Sequence, residues 1–276
     1  MITPQFDDAY HFHEGLASVK MGIRWGFIDK TGKIVIVLQF DNTFGFSEGL
    51  ASVKIGTRWG YIDKTGKIVI NPQFDWALNF SEGLAAMKIG DRLGYIDKTG
   101  KIVINPQFDW AKDFKEGLAA VRIGDKWGYI DKSGSFIINP QYSYPNGFYE
   151  GLANVDIGDR FGFIDKTGKI VINPQFDAAF GFSEGLAPME IGGRWGFINK
   201  TGKIVINPQF DAAFGFSEGL ARVKIGNRWG FIDKVGKIVI NPLFDVAFDF
   251  LEGLAIVRIG SSIGYIDNIG RIVYLK

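Results

Sequence analysis

A glutamate followed by glycine recurs at Glu14, Glu48, Glu82, Glu116, Glu150, Glu184, Glu218 and Glu252, each 34 residues after the last. A fixed period of this length marks a chain built from repeated supersecondary units, each burying its apolar face against a neighbour. Eight units account for all but four of the 276 residues, so one repeat domain over 1–276 is expected, without a linker. The period also organises the glycines. Of 37, all but five stand at four fixed places per unit, as in Gly49, Gly56, Gly60 and Gly66. A glycine held at one phase signals positive φ or close backbone approach.

The second unit shows the local pattern. Leu50–Ile55 alternates, with Ala51, Val53 and Ile55 on one face and Ser52 and Lys54 on the other, the period of a half-buried strand. Gly56-Thr57 is a hairpin signal, and Trp59–Asp63 is apolar on both faces, as suits a covered central strand. A second turn at Asp63–Lys67 leads into a third strand, Lys67–Ile70, which Asn71-Pro72 is expected to close because proline donates no ladder hydrogen bond. Phe74, Ala77 and Leu78 then fall at helical spacing, with Asp75 placed to cap a turn. This connector is expected to be irregular, with a short fourth strand as the competing reading. The fold class is therefore all-β: eight three-stranded antiparallel meanders with connectors.

The repeated string Gly-Leu-Ala-x-Val-(Lys/Arg)-x-Gly-x-(Arg/Lys)-Trp-Gly-(Tyr/Phe)-Ile-Asp-x-x-Gly-Lys-Ile-Val resembles the WG, or KWG, repeat of bacterial proteins. The resemblance covers the whole chain. It implies a β-rich repeat with a binding or scaffolding role and names no catalytic residue. The signature Trp stands at Trp25, Trp59, Trp127, Trp195 and Trp229 but is replaced by Leu93, Phe161 and Ile263. Apolar character survives the loss of the indole, so this position is expected to serve the core. Tandem meanders either close into a propeller-like ring or remain an open solenoid or superhelix. The integral count, and the alignment of Met1-Ile2 and Val273-Tyr274 with Val69-Ile70, favour the ring.

Charge and composition exclude several function classes. Net charge is +1, with both signs spread along the repeats, and no basic arm points to nucleic acid or membrane. Without cysteine there are no disulfides or thiolate metal sites. No apolar run is long enough for a membrane-spanning helix, and no signal peptide is visible, which favours a cytoplasmic location.

Two further acidic series accompany the glutamates: Asp29, Asp63, Asp97, Asp131, Asp165, Asp233 and Asp267, and Asp7, Asp41, Asp75, Asp109, Asp177, Asp211 and Asp245. An active site is needed once, whereas a structural acceptor is needed in every unit, so these carboxylates are expected to bind backbone N–H groups. The Glu before Gly is the strongest candidate for a clasp between units. His11 and His13, the two histidines, are too few for a zinc site unaided and are expected to be surface variation. No nucleophile–base set or phosphate loop appears, so no enzyme, metal or cofactor is expected. Arg58 and its equivalents lie on the opposite strand face from Trp59, which argues against a basic–aromatic nucleic-acid surface.

Function is expected where units differ. One such position is Lys20, Lys54, Lys88, Arg122, Asp156, Glu190, Lys224 and Arg258; another is Trp76 and Trp110, which are Asn42, Ala178, Ala212 or Val246 elsewhere. A non-enzymatic scaffold that binds a protein partner through these residues is the leading expectation. A carbohydrate-binding module using the variable aromatics, or a filament-forming element, is the alternative.

Overall fold

The computed structural model describes residues 6–144 and 146–275; Met1-Ile2, used above to argue for a ring, lie outside them. The fold is an all-β, eight-bladed β-propeller: eight small antiparallel sheets follow one another in sequence, with no helix among the described residues. The chain divides at Gln141/Tyr142 into two compact units of four blades each.

In the second blade the order is Asn42–Thr43, Leu50–Ile55, Arg58–Asp63 and Ile68–Phe74, so the sheet has four strands rather than three. Two residues of the connector supply the first strand, with Asn42 opposite Lys54 and Thr43 opposite Val53. The helical spacing of Phe74, Ala77 and Leu78 is thus overridden. Asp75 caps nothing; its N–H donates to Lys88 O at 2.9 Å, which leads the chain into the next short strand, Trp76–Ala77.

Asn71-Pro72 does not close the last strand either. Trp59 pairs with Phe74 and Tyr61 with Ile70, so two residues on one strand face four on the other and Pro72 sits in the bulge. An edge strand tolerates proline at such a place. The same bulge explains the glycine after the Trp position. A Cβ on Gly60 would lie 2.5 Å from Ile70 O and 2.7 Å from Pro72 N, both backbone atoms. No side chain fits there.

The core lies between blades. Leu50, Trp59, Tyr61, Ile70 and Phe74 project from one sheet face and pack on Ala77, Phe80, Ala85, Met87 and Ile96 of the third blade. The first blade meets the second in the same way, with Trp25, Phe27, Ile36 and Phe40 against Ala51, Val53 and Ile62. At both junctions a face rich in aromatic residues meets a face that carries alanine and aliphatic side chains. Trp59 is 5% exposed within this core, and Phe44 stacks over it with centroids 5.3 Å apart. In the second unit, Phe180 covers Trp195 at 5.0 Å in the same manner.

Candidate functional site

The recurring carboxylates hold blades together. Glu48 accepts the N–H of Gly83 in the next blade at 3.0 Å and the ammonium of Lys98 at 3.1 Å. Glu14 repeats this with Gly49 and Lys64, and Glu150 with Gly185 and Lys200. Burial acts to raise the Glu48 carboxyl, but Lys98 and the N–H donors together hold it below the usual carboxylate value. All eight glutamates adopt positive φ of 52–54°. This region costs a non-glycine residue roughly 1–2 kcal/mol, and the clasp offsets it.

One aspartate series works within a blade, and the other joins a blade to the next. Asp63 Oδ1 accepts from the N–H groups of Thr65 and Lys67 and from the Thr65 hydroxyl, closing the turn before the last strand. The Thr65 hydroxyl is the main reason this carboxyl titrates below its ordinary value. Asp75 accepts the Gly90 N–H at 2.7 Å and the Arg58 guanidinium. These acids are occupied in every blade where their bonds are described, as expected of structural acceptors.

The residues that differ between units come together. In the blade sheets, Trp76 lies directly opposite Lys88, and Trp110 opposite Arg122. The same register sets Asn42 against Lys54, Ala178 against Glu190, and Val246 against Arg258. Two variable series read separately along the chain therefore form one composite position per blade. In the first unit its strand member is Lys20, Lys54, Lys88 and Arg122, all basic. Trp76 and Trp110 stand with ring centroids 6.0 Å apart, and Trp110 is 46% exposed. Asp156 differs from its equivalents. Among the described residues the fifth blade has three strands, and the Asp156 carboxylate accepts the N–H groups of Ser143 and Tyr144 at 2.8 Å.

A third variable set was not singled out in the sequence. The third residue before each Glu is His11, Gly45, Asn79 and Asp113 in the first unit, and all four line a cavity of about 510 Å³. Tyr10, His13 and Phe44 line it too, so both histidines belong to a concave surface. In the second unit the preceding position carries Phe180, Phe214 and Phe248, with the Arg222 guanidinium 3.7 Å above the Phe214 ring and 2.8 Å from Asp249. The criterion that flagged Trp76, variation at a fixed phase, picks out these positions as well. Among the described residues no cluster of three or more His, Asp or Glu side chains could hold a metal ion, and no helix is long and apolar enough to cross a membrane.

Comparison with known proteins adds the family and the fold. The family described as "WG containing repeat" matches residues 1–22, 25–56, 59–92, 94–127, 127–160, 161–195, 195–229 and 229–261. No curated protein matches the chain in sequence. Among solved structures, a crystal structure of the eukaryotic initiation factor is 12% identical with a TM-score of 0.69, covering 100% of this chain and 89% of that one. BamB from Moraxella catarrhalis is 10% identical, with a TM-score of 0.52 and coverage of 99% and 88%. Hsv2p of Kluyveromyces lactis is 10% identical, with a TM-score of 0.52 and coverage of 85% and 96%. At such identities the likeness concerns the fold alone.

Proposed function

The chain belongs to the WG-containing repeat family, and from that premise we propose that it is a non-enzymatic scaffold holding a protein partner on its variable cross-strand pairs. The observation that carries this reading is the register. Trp76 opposite Lys88 and Trp110 opposite Arg122 place an aromatic anchor beside a cation on successive blades. Tryptophan and arginine are among the residues that dominate interface energy, and lysine adds charge complementarity. The first unit offers only basic strand members at this position, which suits an acidic segment carrying apolar side chains. The clasp and turn carboxylates are engaged with backbone, so the reading assigns them architecture and no reaction.

Fluorescence anisotropy with labelled peptides tests the proposal. An Asp/Glu-rich peptide containing Phe and Leu should bind more tightly than a Lys-rich one of equal length. The triple variant K54E/K88E/R122E should abolish binding, and Trp110→Ala should weaken it about tenfold. Equal binding of both peptides, or an indifferent triple variant, overturns the reading. A carbohydrate-binding role for the same aromatics rests on the neighbouring Trp76 and Trp110 rings. A glycan array without signal, or one unchanged by W76A/W110A, removes it.

A further inference from the structure

We propose that the cavity of the first unit is a separate binding site for an ammonium-bearing ligand of monosaccharide size, an amino sugar. Its volume of about 510 Å³ lies within the range of small-molecule sites. It combines the two things such sites need: flat apolar surface and a few converging polar groups.

The flat surface comes from Tyr10 and Phe44. Each is held by stacking on an indole, Tyr10 on Trp25 at 5.1 Å with an interplanar angle of 6°, and Phe44 on Trp59 at 5.3 Å. Both rings line the cavity, and Tyr10, 49% exposed, offers its surface to the C–H groups of a pyranose. Fixed platforms of this kind lose little side-chain freedom when a ligand arrives.

The polar groups stand at one phase of consecutive connectors. Asn79 accepts the Ser52 hydroxyl at 3.3 Å through Oδ1, which leaves its NH₂ donors without a partner among the described residues. The glycine of this series, Gly45, makes room for His13, whose Cδ2 would lie 2.9 Å from a Cβ at that position. Asp113 accepts no hydrogen bond from any described residue. The two nearby tyrosine hydroxyls do not serve it, because Tyr61 donates to Leu78 O at 2.6 Å and Tyr95 to Lys112 O at 2.7 Å. Asp113 is exposed as a residue, but its carboxyl sits in a concave mouth. Burial pushes it above the ordinary aspartate value, with Lys115 as the opposing charge.

A carboxylate at the mouth of a cavity with no donor from the described residues is open to a cation that brings its own N–H groups. A neutral sugar satisfies Asn79 and the rings but leaves Asp113 with hydroxyl donors only. A flexible alkylamine satisfies Asp113 and wastes the rest. An amino sugar answers both.

Isothermal titration of the whole chain with glucosamine, glucose and N-acetylglucosamine tests this. Glucosamine should bind at least about tenfold more tightly than the two neutral sugars, a discrimination of about 1.4 kcal/mol. Asp113→Asn should erase that preference, and Asn79→Ala should weaken all three sugars while keeping it. Thermal melting of both variants establishes that each is folded; should one fail to fold, the preference of the native chain and the other variant still decide. Equal affinity for glucosamine and glucose, an unchanged D113N preference, or no binding by any of the three sugars overturns the proposal. The variant K54E/K88E/R122E lies outside the cavity and should bind glucosamine normally, so failure here and failure of the partner reading are told apart.

Discussion

Single residues carry the geometry of this repeat, and two of them were readable for different reasons. The glutamate was legible as a clasp candidate because an acid present in all eight units suits a structural acceptor better than a reaction needed once. The glycine after the Trp position was legible only as special, since the bulge that demands it depends on a strand pairing that local pattern does not show. Gly60→Ala should cost about 2–3 kcal/mol, because the added methyl meets only backbone. Gly56→Ala is the control: its Cβ meets nothing within 4 Å, and its φ of 62° should cost only about 1 kcal/mol. Urea midpoints followed by tryptophan fluorescence separate the two, and equal losses would remove the steric explanation.

At the scale of the strand and turn, alternation located Leu50–Ile55 to the residue, and the covered apolar run Trp59–Asp63 missed only Arg58 at the start of its strand. The fourth strand stood only as the competing reading because two residues carry no periodicity, and the last strand was cut short because proline usually ends pairing. Both errors share a cause: edge positions obey hydrogen-bond partners supplied by neighbours in space. Asp75 illustrates this, reaching forward to Gly90 and back to Arg58. Asp75→Ala should cost about 1–2 kcal/mol, chiefly through the lost charge-assisted bond from the Gly90 N–H. Arg58→Ala should cost under about 1 kcal/mol, because that ion pair is half exposed to solvent. The reverse order, read from the same urea midpoints, would show that the guanidinium and not the backbone is the important partner.

At the scale of the molecule, alternation along a strand gives its two faces but not the neighbour that each of them meets. Only the clusters show which face of one blade meets which face of the next. The cavity was illegible for a related reason: its lining residues lie 34 apart and acquire meaning only once four connectors are brought together. The clasps give the molecule an acid limit. Glu14, Glu48 and Glu150 titrate below the ordinary value of 4.5, burial opposing but lysine and backbone donors prevailing. Their contribution is complete above that value and is lost as pH falls through the lower folded values. The melting temperature should therefore hold from pH 7 to about 5 and fall below about pH 4.5. The variant E48Q/E150Q should melt lower at pH 7 and lose less on acidification; an unchanged acid slope would assign the limit to other carboxylates. Each clasp also spans a fixed sequence distance, Gly83 answering Glu48 as Gly49 answers Glu14, and none reaches past the adjoining blade. Removing or duplicating any 34 consecutive residues thus regenerates the same junction. Near-identical stretches such as 178–187 and 212–221 make such events easy at the level of the gene. Such an event keeps every remaining clasp glutamate 35 residues from its glycine, in phase with the repeat.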